Sequence, residues 1–149
     1  MRPQDVFRKL VDGVAAGRWA ELPELYAEWT HVVHPFDPHR APALRSRDEL
    51  REHFTPPPAG AGPRIERRAT GITVHETTDP EVIVAEFAYE GTADGVPFTL
   101  PGIFVMRVRD GEIVESRDYF DHATGAAIRG GLDDLVAAVK ARATAAGPG

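Results

Sequence analysis

The apolar positions of the chain change period about halfway along its length. Near the start, Phe7, Leu10, Val11 and Val14 recur at i, i+3, i+4 and i+7, which predicts a helix from about Gln4 to Ala16 with Pro3 in its first turn. Gly17 ends it. Leu22, Leu25, Tyr26 and Trp29 repeat the spacing and predict a second helix, with Pro23 in its first turn, where the missing N–H costs little. Thr30 to Pro35 (THVVHP) is a β-branched run closed by proline, and it reads as a strand. Ser46-Arg47-Asp48-Glu49 has the capping-box pattern and predicts a helix over about Arg47 to Phe54, with Leu50 and Phe54 inward. Thr55 to Pro63 (TPPPAGAGP) excludes both helix and central strand and predicts a loop.

From Arg64 onward the period is two. Ile65 to Glu76 reads as a strand, Asp79-Pro80 as a turn, and Glu81 to Thr92 as a strand with Ile83, Ala85, Phe87 and Tyr89 on one face. Val96 to Arg109 and Glu112 to Phe120 are two more strands. Asp94-Gly95 and Asp110-Gly111 are hairpin signals between them. A last helix carries Leu132, Leu135, Val136 and Val139, and Ala145 to Gly149 reads as a frayed tail. Residues 1–144 then form one domain. Consecutive hairpins preceded by helices predict an α+β fold: a curved antiparallel sheet wrapped by about three N-terminal helices and a C-terminal helix, a roll enclosing a cone-shaped cavity. Such a concave space is where small molecules bind.

Composition narrows the function. With 149 residues and 42% hydrophobic content the chain suits one globular core. A net charge of −6 without a basic stripe argues against nucleic acid as a partner. Arg67 and Arg68 are adjacent, so on a strand they point to opposite faces. The absence of cysteine excludes disulfides, thiol nucleophiles and iron–sulfur ligation. Met1 to Gly13 is charged and amphipathic, unlike a signal peptide, and no apolar run approaches a membrane span, so a soluble cytoplasmic protein is expected. The six histidines form no HExxH pattern, and no nucleophile elbow, Walker loop or dinucleotide fingerprint is present. No cofactor and no metal site are expected.

The order of elements resembles the SnoaL-like and nuclear transport factor two-like superfamily, which includes ketosteroid isomerases, polyketide cyclases and limonene epoxide hydrolases. Gly17 to Pro35 (GRWAELPELYAEWTHVVHP), Ser46 to Phe54, and Asp110 to Asp121 (DGEIVESRDYFD) carry the likeness, which covers nearly the whole chain. The resemblance implies a cofactor-free acid–base site. The isomerases' general base, an Asp before the proline closing the first strand, is His34 here. Their oxyanion-stabilising Tyr falls near Leu10, and their protonated Asp at Phe104 or Ile103, so that oxyanion hole is missing. The epoxide hydrolases' last-strand Asp matches Asp118, while their Arg and second Asp fall at about Ala85 and Phe87, so that triad is broken. The cyclases' single last-strand base also matches Asp118.

Asp118 is therefore the first candidate. Val114, Ser116, Asp118 and Phe120 alternate onto one strand face, and a carboxylate among apolar groups has its pKa raised toward neutrality. A structural Asp, paired with an arginine or capping amides, is the competing reading. His34, sharing a face with Val32, is the second candidate and would be a proton-transfer partner; a buried imidazole satisfied by one hydrogen bond is its alternative. His31 points the other way. His122 reaches the pocket rim if the strand continues. Trp19, Tyr26, Trp29, Phe54, Phe87, Tyr89, Phe104 and Phe120 are candidates to line the site, or are ordinary core. Arg117 and Tyr119 point away from Asp118, toward an outer face suited to homodimerisation. Two functions fit: proton transfer on a small apolar molecule (isomerisation, cyclisation, dehydration or hydrolysis), or a binding module without chemistry.

Overall fold

The computed structural model describes residues 1–145, so residues 146–149 of the expected tail lie outside the described part. Helix α1 spans Pro3–Ala15 and buries Val6, Phe7, Leu10 and Val11, the stripe read from the sequence. The second helix is different. Trp19–Leu25 is a 3-10 helix, and Tyr26 already begins strand β1, Tyr26–Val33. Pro23 inside the segment removes a donor and crowds the preceding turn, while the aromatic and β-branched residues from Tyr26 onward favour a pleated strand. The helical spacing of Tyr26 and Trp29 was thus coincidental.

A short strand β2, Leu44–Ser46, pairs with β1 and leads into helix α2, Arg47–His53. Ser46 is both strand end and N-cap: its Oγ accepts from the Glu49 amide at 3.2 Å, while Glu49 accepts from the Arg45 amide. Ser46→Ala is expected to lower stability by about 1 kcal/mol in thermal unfolding, the usual worth of such a cap. Arg47 fastens α2 to the sheet, donating from Nε to the Tyr26 carbonyl (3.0 Å) and from Nη2 to Glu112 (2.7 Å).

Strands β3 (Ile65–Glu76), β4 (Val82–Ala93), β5 (Val96–Arg109) and β6 (Glu112–Phe120) follow the expected bounds closely. Both hairpins turn through paired positive φ angles, 48° and 80° at Asp94-Gly95, 52° and 76° at Asp110-Gly111, the twist that continues the strands. The six strands run in the order β2-β1-β6-β5-β4-β3. Every neighbouring pair is antiparallel except β1 and β6, which are parallel. The carboxyl end of the chain forms two helices rather than one. Helix α3, His122–Arg129, is capped by Asp121, which accepts from the Thr124 amide, and stops at Gly130, whose φ of 74° suits a left-handed C-cap. Helix α4 is Leu132–Ala145, anchored by Leu135.

The core lies between α1 and the concave face of the sheet. Phe7 of α1 sits edge-on to Phe87 (5.5 Å between centroids) and Phe104 (5.9 Å), and Phe120 packs on both. Gly102 leaves the room for this: a Cβ there would stand 2.7 Å from the Phe120 ring.

Candidate active site

Asp118 is set in place by its two neighbouring strands. On one side the antiparallel register pairs it with Phe104, which in turn pairs with Ala85. On the other, the parallel register matches Val32 with Ser116, so His34, two residues on, arrives beside Asp118. His34 Nε2 lies 3.7 Å from Asp118 Oδ2. Ser116 donates its hydroxyl to the other oxygen, Oδ1. The two best-supported candidates of the sequence therefore share one face and nearly touch.

Their environments push the two groups apart in character. Asp118 is 5% exposed. Burial lifts its carboxyl from 3.8 to about 7, against the opposing hydrogen bond from Ser116. The His34 side chain is 20% exposed, and desolvation, reinforced by the nearby His53 and His122, lowers its imidazole to about 4. Near pH 6 the favoured state is a neutral imidazole beside a neutral carboxylic acid, not an ion pair. Above pH 7 Asp118 becomes a carboxylate while His34 stays neutral, which is the state of a general base with a proton-accepting neighbour. His34 is the outer member of the pair: its ring lies 5.6 Å from that of His53, which is exposed on α2.

Two phenols stand near the same carboxyl. Tyr26 is fully buried, and burial, with the Asp118 charge second, raises its pKa well above 10. Tyr89 is raised for the same first reason, with Arg67 opposing and Asp118 adding. Both stay protonated across the physiological range, and neither hydroxyl meets a hydrogen-bond partner among the described residues. They are donors held available.

Of the remaining candidates, Phe54 bridges Tyr26 (6.1 Å) and Trp19 (6.5 Å), and Phe87, Phe104 and Phe120 form the wall behind Asp118. Trp29 does not line the site. It is 75% exposed, because it lies out of step with the buried Tyr26, Thr30 and Val32 and shares the outward face with His31. Val114 also leaves the expected face: β6 bulges between its pairings at Ile113 and Glu115, and Ile113 is buried instead. His122 does reach the site's rim, at the start of α3, and its Nε2 is buried without a hydrogen-bond partner among the described residues.

The aromatic wall behind Asp118 interlocks edge to face. One groove of about 260 Å³ runs past Arg2, Gln4, Thr77 and Ile83, and one of about 330 Å³ is lined by Phe36, Ile103 and Tyr119 together with Phe87 and Phe120 of that wall. Neither is bordered by Asp118 or His34. The second opens on the outer sheet face, where Tyr119 packs against Phe36 at 5.0 Å.

Sequence reading missed His53 and α3. It placed Arg67 on a strand but assigned it no site. Ile65, Arg67 and Ala69 alternate onto the more buried side of β3, and that shared parity was the available signal.

The profile of the SnoaL-like domain family matches residues 7–116, most of the chain. The chain belongs to that family. Asp118 lies two residues past the matched segment. A curated relative, an uncharacterized PhzA/B-like protein of Pseudomonas aeruginosa, is 28% identical over 111 residues, covering 70% of this chain and 79% of its own. Among solved structures, a Bacillus subtilis protein provisionally named an isomerase superposes with a TM-score of 0.73 at 23% identity, covering 85% of this chain and 91% of its own. A Xanthomonas campestris protein provisionally named a polyketide cyclase gives 0.63 at 19%, covering 85% and 95%. At these identities the two structures share the fold. As a SnoaL-like domain, the protein is a small-molecule-binding α+β roll, and no helix of the described residues is long and apolar enough to cross a membrane.

Proposed function

We propose that the protein catalyses cofactor-free proton transfer on a small apolar molecule, in the isomerase, cyclase, dehydratase or hydrolase class, with Asp118 as base and His34 as its partner. The supporting observation is the buried Asp118 carboxyl, poised at about 7, with an imidazole 3.7 Å away. The proton balance is simple. Asp118 takes a proton from a carbon next to a carbonyl and becomes the acid; negative charge moves to the carbonyl oxygen, where Tyr26 or Tyr89 donates a hydrogen bond; Asp118 then returns that proton to the substrate, directly or through His34, which takes it from Asp118 as it gives up its own. Ser116 holds Oδ1, leaving Oδ2 to face His34. The measurement is recovery of a ligand that copurifies with the protein, followed by its incubation with fresh wild-type protein and with Asp118→Asn. Conversion by the first alone supports the reading. Return of the ligand intact from both supports the alternative, a binding module without chemistry.

Self-association through the outer sheet face belongs to the same proposal. Ile103 and Tyr119 border an apolar groove there, and Phe36 extends it. Ile103→Glu is expected to convert a dimer to a monomer in light scattering; an unchanged mass removes this face as the interface.

A further inference from the structure

Among the described residues, three arginines are half-buried: Arg47, Arg67 and Arg107. Arg47 meets Glu112 at 2.7 Å, and Arg107 meets Asp79 at 2.8 Å and Glu81 at 2.9 Å. Arg67 has no carboxylate within 4 Å and no hydrogen bond from its guanidinium among the described residues, although its neighbour on the outer face, Arg68, is paired with Glu90. Instead the Arg67 guanidinium lies over two rings of the candidate site, 5.3 Å from the centre of Trp19 and 5.7 Å from that of Tyr89. Aromatic faces hold a guanidinium in position but satisfy none of its in-plane N–H groups. A buried cation is ordinarily paired, so one left with its fork of donors free is a place for an anion to arrive.

Tyr89 relates this cation to the proposed catalytic pair. Its ring lies 5.7 Å from the Arg67 guanidinium and stacks at 6.4 Å on the ring of Phe120, which stands two residues from Asp118 on the last strand. Arg129, the last residue of α3, adds positive charge toward Arg67 and has no carboxylate partner among the described residues.

We propose that Arg67 anchors a carboxylate on the substrate, so that the molecule acted on is an aromatic or alicyclic acid, about two fused rings long, reaching from Arg67 to Asp118. The inference rests on the proposed proton-transfer site and specifies its substrate class. A planar two-oxygen group matches the planar guanidinium fork, and the ring of the acid would lie along Tyr89 and Phe120, which are themselves stacked at 6.4 Å.

The test is calorimetric titration with 2-naphthylacetate and with its uncharged amide, 2-naphthylacetamide, using wild-type protein, Arg67→Met and Arg67→Lys. The acid is expected to bind wild type at least about tenfold more tightly than the amide, because charge-assisted bonds to a desolvated arginine are strong. Arg67→Met should erase that preference while leaving amide affinity within about twofold, and Arg67→Lys should keep part of it. Equal affinity for acid and amide in wild type, or a preference that survives Arg67→Met, overturns the anchor while leaving the proton-transfer site standing. Binding of neither probe to a wild-type protein that is folded by circular dichroism overturns the small-molecule site itself, and the anchor with it.

Discussion

Replacing Asp118 by Asn is expected to lower turnover of the natural substrate by about 10²–10⁴-fold, the usual contribution of a positioned base. The amide keeps the shape of the carboxyl and its contacts to Ser116 and His34 but cannot accept the proton. Wild-type kcat/KM should rise with pH through about 7 and level off above it, as Asp118 ionises. His34, lowered to about 4, stays neutral over that range and adds no second limb. The same substitution should stabilise the fold in alkali. A carboxyl whose pKa is higher folded than unfolded adds stability that is complete below 3.8 and lost as the pH climbs through about 7. The span from 3.8 to about 7 corresponds to at most about 4 kcal/mol. Asp118→Asn should therefore unfold at higher temperature than wild type at pH 9, with the gap closing toward pH 4. Loss of activity together with that gain in stability separates a catalytic role from a structural one; a carboxylate kept for structure would show neither the alkaline gain nor the pH limb.

His34 adds the mirror-image contribution. Its lowered pKa gives stability that is present above 6.5 and lost as the pH falls through about 4. Between pH 4 and 6.5 the two pH dependences nearly cancel, because folding in effect moves a proton from the imidazole to the carboxyl and the total bound is unchanged. Stability should therefore be nearly flat with pH in that window as far as this pair is concerned, with Asp118 still in its acid form.

The second large effect is on the fold. Phe7→Ala should lower stability by about 3–5 kcal/mol, as for other fully buried phenylalanines. Phe7 is 0% exposed and touches the rings of Phe87 and Phe104, so its removal leaves a cavity that the rigid sheet closes poorly. Chemical denaturation with an unchanged m-value measures it. A loss below about 1 kcal/mol would mean that α1 is not the cover of this core.

The architecture was largely legible because its signals are local. Asp-Gly pairs set the hairpins, period-two runs set the long strands, and proline at position 35 marks the end of β1's excursion next to His34. That Asp118 and His34 meet was legible through parity, since each shares its face with an apolar residue, Phe120 or Val32. What failed did so for physical reasons. Tyr26 and Trp29 matched a helical spacing by chance, and only the competition between Pro23 and the pairing of β1 with β6 decided the outcome. The bulge that expels Val114 depends on a partner strand distant in sequence, whereas Trp29 faces outward by the same parity as His31, once the strand is seen to begin at Tyr26. Helix α3 carries small residues and little apolar stripe, so its existence hangs on the Asp121 cap and Gly130. Arg67 and Arg68 read as pointing to opposite faces of β3, but which of them is half-buried was not legible, because burial of a cation is set by tertiary context.

The central claim is that Asp118 is a carboxyl held near neutrality by burial beside a neutral His34. Its most direct test is a carbon NMR titration of the side-chain carboxyls in the folded protein, with Asp118→Asn identifying the resonance. The account predicts a midpoint at about 7. A midpoint in the ordinary aspartate range, near 3.9, would contradict it.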